Sequence, residues 1–81
     1  MDYVTDGAHH LICLPCSIEN LHAMAEALNI KRCWFHSSHY DIPKRRIVEI
    51  EAKCGLVSSR DIVSIIREYK KISKSEVPLH L

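Results

Sequence analysis

The sequence has little glycine, little excess charge of either sign and no long apolar run. Its 81 residues include only two Gly and three Pro, and 47% of them are hydrophobic, which is the composition of a globular protein. Eleven basic and ten acidic residues give a net charge of +1, which does not favour general affinity for nucleic acid or anionic membranes. No apolar run approaches the roughly 20 residues of a membrane span.

A basic N-terminal segment is also absent from the sequence. The first residues include Asp2 and Asp6, so we predict no signal peptide. Without a secretory signal, the four Cys favour reduced thiols or metal ligands over a disulfide framework, and we expect a cytosolic protein. A chain this short forms one domain, and domains of this size often depend on a metal or a partner for stability.

The spacing of apolar residues predicts a small α/β fold. Three short strands are predicted, at residues 9–14, 33–36 and 56–58, and Tyr3 and Val4 form an N-terminal edge strand. Three helices are predicted, at residues 18–30, 41–53 and 60–71. Ser17 is the expected N-cap of the first helix. The alternating order favours a three-stranded parallel sheet. We assign residues 1–72 to this domain and residues 73–81 to a loosely held C-terminal tail.

Residues 33–43 contain the densest set of chemically active side chains. This segment, Cys-Trp-Phe-His-Ser-Ser-His-Tyr-Asp-Ile-Pro, holds the only Trp, the only Phe and two of the six His. Its two Ser and its Pro favour a loop after the predicted strand. That loop would carry His36, His39 and Asp41 at the edge of the parallel sheet, where ligands of such sheets bind. Cys16 and His22 would approach the same edge.

Several short segments together resemble a known family. Leu-His at residues 21–22, Trp-Phe at 34–35, His-Tyr-Asp at 39–41, Lys-Arg at 44–45 and a Gly before Val-Ser occur in this order. Over residues 10–67 the arrangement resembles a family of small phage and prophage proteins that is classed as a domain of unknown function. The resemblance implies a phage setting. The family usually has Asp where Cys16 stands and more often Gln where His36 stands, and both changes introduce better zinc ligands.

Zinc is the predicted cofactor, and two ligand sets remain open. The resemblance implies the set that we prefer, namely Cys16, His22, His39 and Asp41. Spacing alone gives a rival set that resembles a zinc-finger pair, namely Cys13, Cys16, Cys33 and His36. Cys13 and Cys33 lie in predicted strands, where Cys is commonly a small buried hydrophobe. His10 is a spare ligand, whereas His9 and His80 receive no role. Packed thiols and a helix-capping Asp41, without any metal, are the simpler interpretation.

Lys44, Arg45 and Arg46 form a basic cluster at an unusual place. Three cations in the first turns of the predicted second helix oppose its macrodipole. A phosphate or an acidic partner would remove this conflict, although a solvated basic face would also account for the cluster. We therefore mark the three residues as candidate partner or phosphate contacts.

The small size, the balanced charge and the phage-like resemblance favour a protein that is not an enzyme. We predict a zinc-stabilised phage accessory protein that binds a host protein, in the concrete case an anti-CRISPR-like inhibitor of a host defence nuclease. The alternative is a metal-dependent hydrolase or nuclease that uses His22, His39 and Asp41, with Lys44 or Arg45 holding phosphate. A nucleic-acid-binding module is disfavoured by the balanced charge.

Overall fold

The computed structural model describes the backbone of residues 1–76 and the side chains of residues 1–71. Within this part of the chain, three α-helices accompany a five-stranded sheet. The strands are β1 (Asp2–Thr5), β2 (His10–Leu14), β3 (Phe35–His36), β4 (His39–Asp41) and β5 (Gly55–Leu56). The α-helices are α1 (Ile18–Ala27), α2 (Ile47–Glu51) and α3 (Ser59–Glu76). Two 3-10 helices span Arg32–Trp34 and Lys44–Arg46.

The sheet is mixed and mostly antiparallel, with the order β3-β4-β2-β1-β5. β1 pairs with β2, β2 with β4 and β4 with β3, and all three pairings are antiparallel. Among the described strands, β1 and β5 form the one parallel pair. The prediction of a three-stranded parallel sheet is therefore wrong. Tyr3 and Val4 also lie in an interior strand, since β1 is flanked by β2 and β5.

A tight turn joins β1 to β2 and explains their antiparallel pairing. The Thr5 hydroxyl donates to the His10 carbonyl oxygen at 2.8 Å and accepts from the Gly7 N–H at 3.3 Å. The Asp6 carboxylate accepts from the Ala8 N–H at 2.9 Å. Gly7 has a φ of 75°, which glycine adopts without a steric penalty. These local contacts reverse the chain, so no helix connects the first two strands.

A second hairpin occupies the segment that was predicted as a loop. Ser37, with a φ of 48°, makes the turn between β3 and β4. In β4 the middle residue Tyr40 is buried, whereas His39 and Asp41 are half-buried. This alternation is typical of a strand with one face on the core. The predicted strand at residues 33–36 is correct only at its end, because a 3-10 helix occupies Arg32–Trp34.

Helix α1 packs its apolar side on the sheet and supplies much of the core. Ser17 caps the helix, as predicted, by accepting from the Asn20 N–H at 3.0 Å. The helix ends before the predicted residue 30, because Asn29 takes a φ of 58° and cannot continue it. The fully buried side chains of the core include Leu11, Ile12, Leu21, Met24, Tyr40, Ile50 and Ile62.

The second and third helices have other bounds than predicted. Asp41 belongs to β4 rather than to a helix, and α2 covers only Ile47–Glu51 after the 3-10 turn Lys44–Arg46. Helix α3 continues through Glu76 and so includes the first part of the predicted tail. The remaining part, residues 77–81, lies outside the described residues. No described helix has both the length and the apolar character needed to cross a membrane.

Candidate metal-binding site

Four His and one Asp side chain gather where β2, β3 and β4 lie side by side. We call this group the His/Asp cluster, and its members are His9, His10, His36, His39 and Asp41. The pairing register places His10 opposite Asp41 and His36 opposite His39. Side chains of directly paired residues lie on the same face of a sheet. The ring of His9, which precedes β2, lies 4.1 Å from that of His10 between centroids. Adjacent strands therefore build the cluster.

Three members of the cluster are close enough to share a metal ion. Ligand atoms of His9, His10 and Asp41 all lie within 4.8 Å of one another, and this is the group of three found among the described residues. Imidazole nitrogen and carboxylate oxygen both bind zinc, at about 2.0–2.2 Å, which places tetrahedral ligand atoms about 3.3 Å apart. His9 is exposed, so its ring can close the remaining gap. The donor set therefore fits Zn²⁺.

Asp6 orients the ring of His10. Its Oδ2 lies 2.7 Å from His10 Nδ1. Burial raises the pKa of Asp6, but hydrogen bonds from His10, from Ser59 and from two backbone N–H groups outweigh burial and lower the pKa to about 2. An ionised carboxylate can only accept, so Nδ1 is the donor and Nε2 is left for a metal. Ligating His residues usually hold their second nitrogen on a carboxylate in this manner.

Asp41 also contacts two further His residues. His39 Nε2 lies 3.2 Å from Oδ1, and His36 Nε2 lies 3.2 Å from Oδ2. Burial lowers the pKa of His39, although the charge of Asp41 and its hydrogen bond act in the opposite direction. A lowered pKa keeps the imidazole neutral at neutral pH. His39 can therefore serve as a ligand or as a proton acceptor beside the metal-binding group.

The structure unites only half of the ligand set implied by the family resemblance. His39 and Asp41 meet, as described above. His22 instead forms a 2.6 Å hydrogen bond through Nδ1 with the Tyr40 hydroxyl, and its ring packs on Phe35 at 4.7 Å. Because side chains alternate along β4, Tyr40 faces the side opposite to His39 and Asp41. The sheet thus separates His22 from them.

The cysteines do not join the cluster either. Burial, with a smaller contribution from Cys13, raises the pKa of Cys16 to about 11 and so favours its neutral thiol. Cys13 is fully buried and its Sγ donates to the Pro15 carbonyl at 3.6 Å. Cys33 is exposed in the first 3-10 helix. Among the described side chains, neither of the two predicted four-ligand sets forms one metal-binding group.

In the basic cluster, Arg46 stabilises the fold, whereas Lys44 and Arg45 are exposed. The Arg46 guanidinium donates to the carbonyl oxygens of Leu28 at 2.9 Å and Asn29 at 2.7 Å, just beyond α1. These carbonyls follow the end of a helix and lack helical donors. Arg46 therefore connects the 3-10 helix Lys44–Arg46 to the segment that follows α1. Lys44 and Arg45 are exposed and form no salt bridge with any side chain of residues 1–71.

Sequence reasoning missed the contributions of His9 and Asp6. In the predicted parallel sheet, His9 would lie at the beginning of the first strand, away from the edge where ligands bind. The signal that could have found it is Asp6-Gly7 between two strand-forming runs, a common hairpin turn. A hairpin there leaves β2 free to pair with another antiparallel strand, which is how His10 comes to face Asp41.

Comparison with protein families gives one match that covers most of the chain. The family model described as "Protein of unknown function (DUF4031)" matches residues 5–69. Neither the curated proteins nor the solved structures compared with the chain contain a match. The matched segment includes the complete His/Asp cluster, Asp6 and the hydrogen-bonded pair His22 and Tyr40.

Proposed function

The chain belongs to the DUF4031 family, and we propose that it is a zinc-binding accessory protein that acts by binding another protein. The observation that carries the zinc half is the proximity of ligand atoms of His9, His10 and Asp41, all within 4.8 Å. Asp6 supports it by fixing the Nδ1 proton of His10. A metal at this place would tie β2 to β4, which adds stability that a domain of this size needs.

The partner that we propose is a host protein, in the concrete case a CRISPR nuclease or another defence nuclease. The support is the resemblance of residues 10–67 to small phage and prophage proteins, which act inside the infected host. The four cysteines are free, which supports a reducing compartment such as the host cytosol. The near-neutral net charge favours a protein partner over nucleic acid.

A metal-dependent hydrolase or nuclease is the second candidate, and one observation favours it. Three protein ligands leave one position of a tetrahedral zinc site open, as in catalytic sites, where the metal supplies Lewis-acid chemistry. His39, with its lowered pKa, lies beside Asp41 and could accept a proton there. This version uses His39 and Asp41 from the predicted catalytic group but not His22, which lies across the sheet.

Metal analysis of protein purified without chelator tests the zinc half of the proposal. We expect about one equivalent of zinc in the parent protein. His10→Ala and Asp41→Asn each remove a ligand and should lose most of the zinc. Asp6→Asn removes the carboxylate that orients His10 but leaves the three ligands in place, so its zinc affinity should fall by roughly 10–100-fold. Titration against a competing chelator measures these affinities.

Two control variants separate the three possible ligand sets. His22→Gln keeps a polar partner for Tyr40 and should retain zinc, as should Cys33→Ser. Loss of zinc from His22→Gln alone would return support to the set implied by the family resemblance, and loss from Cys33→Ser to the Cys-rich set. Less than about a tenth of an equivalent in the parent protein would contradict zinc binding altogether.

A further inference from the structure

A groove of about 620 Å³ lies between the end of α1 and the two 3-10 helices. We call it the Trp34 groove, and its walls are residues 29–31, 33–34 and 43–46. Ile30, Trp34 and Pro43 give it apolar walls, and Trp34 is 38% exposed. The volume is in the range of about 300–1,000 Å³ that is usual for ligand sites. No member of the His/Asp cluster lines it.

Hydrogen bonds hold the walls of the Trp34 groove in place. Arg46, on one wall, donates to the carbonyl of Asn29 on the other at 2.7 Å. The Ile30 N–H donates to the Ala25 carbonyl at 2.7 Å, which fixes the chain as it leaves α1. The backbone N–H of Trp34 donates to the Lys31 carbonyl at 3.1 Å. A preformed groove costs little conformational ordering when a ligand binds.

Three cations surround the apolar walls. Lys31, Lys44 and Arg45 line the groove, are exposed and form no salt bridge with the side chains that the structure describes. Arg46 differs, because Glu49 neutralises it at 2.7 Å. Apolar walls with a rim of cations that no described carboxylate neutralises are complementary to an apolar side chain with carboxylates on either side.

We propose that the Trp34 groove binds a segment of a partner protein in which a large apolar side chain is flanked by Asp or Glu. This inference rests on the proposed protein-binding function and names the surface that performs it. The apolar walls take the central side chain, and Lys44 and Arg45 attract the flanking carboxylates. Single-stranded nucleic acid fits the groove less well. Proteins that bind single strands combine a basic groove with several aromatic side chains that stack on the bases, and here Trp34 is the single tryptophan.

Selection from a random short-peptide library on the immobilised protein tests this inference. The recovered peptides should place Asp or Glu on both sides of Leu, Ile or Phe. Trp34 is the sole tryptophan, so its fluorescence reports directly on the groove. Recovered peptides without Trp should shift its emission to shorter wavelength, since binding removes water from the indole. The shift, followed against peptide concentration, gives the affinity.

Charge reversal on the rim provides the decisive comparison. Lys44→Glu combined with Arg45→Glu should weaken peptide binding by at least about tenfold, mainly through slower association. The matched control is Arg60→Glu combined with Arg67→Glu, which changes the net charge equally on the exposed side of α3 and should leave the affinity unchanged. Both double variants should keep the urea midpoint of the parent protein, since all four side chains are exposed.

Three results would overturn the inference. They are recovery of peptides without acidic enrichment, equal loss of affinity in both double variants, and tighter binding of oligodeoxythymidylate than of the selected peptides. The last result would assign the groove to nucleic acid. Zinc content is measured separately and depends on His10 and Asp41, which lie outside the groove. Zinc-free parent protein that still binds the peptides would therefore contradict only the zinc half of the proposed function.

Discussion

His22 Nδ1 and the Tyr40 hydroxyl lie 2.6 Å apart and form a hydrogen bond between α1 and β4. The two rings pack edge to face, with centroids 5.8 Å apart, and Phe35 contacts both rings. Tyr40 is only 1% exposed. The Leu-His and His-Tyr-Asp segments that carry the family resemblance therefore meet in the core. The contact gives His22 a structural role in holding the helix on the sheet.

Tyr40→Phe should destabilise the protein while leaving zinc binding intact. The substitution keeps the ring but removes the oxygen that partners half-buried His22, which should cost about 1–3 kcal/mol of unfolding free energy. Urea denaturation at neutral pH measures this loss. Tyr3→Phe is the matched control and should change the free energy by less than about 0.5 kcal/mol. A loss of zinc from Tyr40→Phe would place the tyrosine at the metal site instead.

Arg46→Ala should destabilise the protein more than Arg45→Ala does. Without its guanidinium, the carbonyls of Leu28 and Asn29 lose their side-chain donors, so the urea midpoint should fall. Arg45 is exposed and donates to no carbonyl in the described part of the chain, so its substitution should cost less than about 0.5 kcal/mol. Urea midpoints of the two variants provide the comparison. Equal midpoints would mean that the Arg46 hydrogen bonds contribute nothing to stability.

Local signals in the sequence predicted the start of α1 but not the partners of the strands. Ser17 caps the helix because a single side chain and a nearby N–H suffice, and Asn29 ends it by its own backbone conformation. Strand pairing depends instead on residues far apart in the chain, such as His10 and Asp41. The order of elements suggested crossovers through helices, whereas turn chemistry at Gly7 and Ser37 produced hairpins.

The difference between local contacts and contacts between distant residues also decided which site residues could be predicted. His39 and Asp41 are two residues apart, so they share a face of any strand, and the structure brings them together in β4 rather than in the predicted loop. Tyr40, between them, necessarily lies on the other face of the sheet. His22 forms its hydrogen bond with Tyr40 and not with the Asp41 carboxylate. His9 joins the cluster only through the hairpin before β2, which the parallel topology had excluded.

Cys16 should alkylate slowly at neutral pH and faster as the pH rises. Its pKa is raised from 9.0 to about 11, chiefly by burial, so at pH 8 the reactive thiolate should be about 100-fold scarcer than for an ordinary thiol. The rate of iodoacetamide labelling at Cys16 should therefore increase about tenfold per pH unit until the pH nears 11. Peptide mass spectrometry over a pH series resolves the individual cysteines.

Exposed Cys33 and added zinc serve as controls for the labelling experiment. Cys33 should be modified before the half-buried Cys16 at each pH, because the reagent reaches it freely. Zinc should not protect Cys16, since the ligand atoms that converge in the described structure belong to His9, His10 and Asp41. Protection of Cys16 by zinc would instead restore the ligand set that the family resemblance implied.

The last prediction separates protein binding from hydrolysis. We expect no cleavage of DNA or RNA by the parent protein with zinc or manganese. A phosphate-cleaving enzyme must hold the phosphate against its metal, and positioning of this kind supplies much of the rate. Lys44 and Arg45, the free cations of the basic cluster, line the Trp34 groove, and no member of the His/Asp cluster does. Asp41→Asn is the control for contaminating nucleases, because contaminant activity would persist in it. Metal-dependent cleavage by the parent protein that disappears in Asp41→Asn would overturn the protein-binding proposal in favour of the hydrolase.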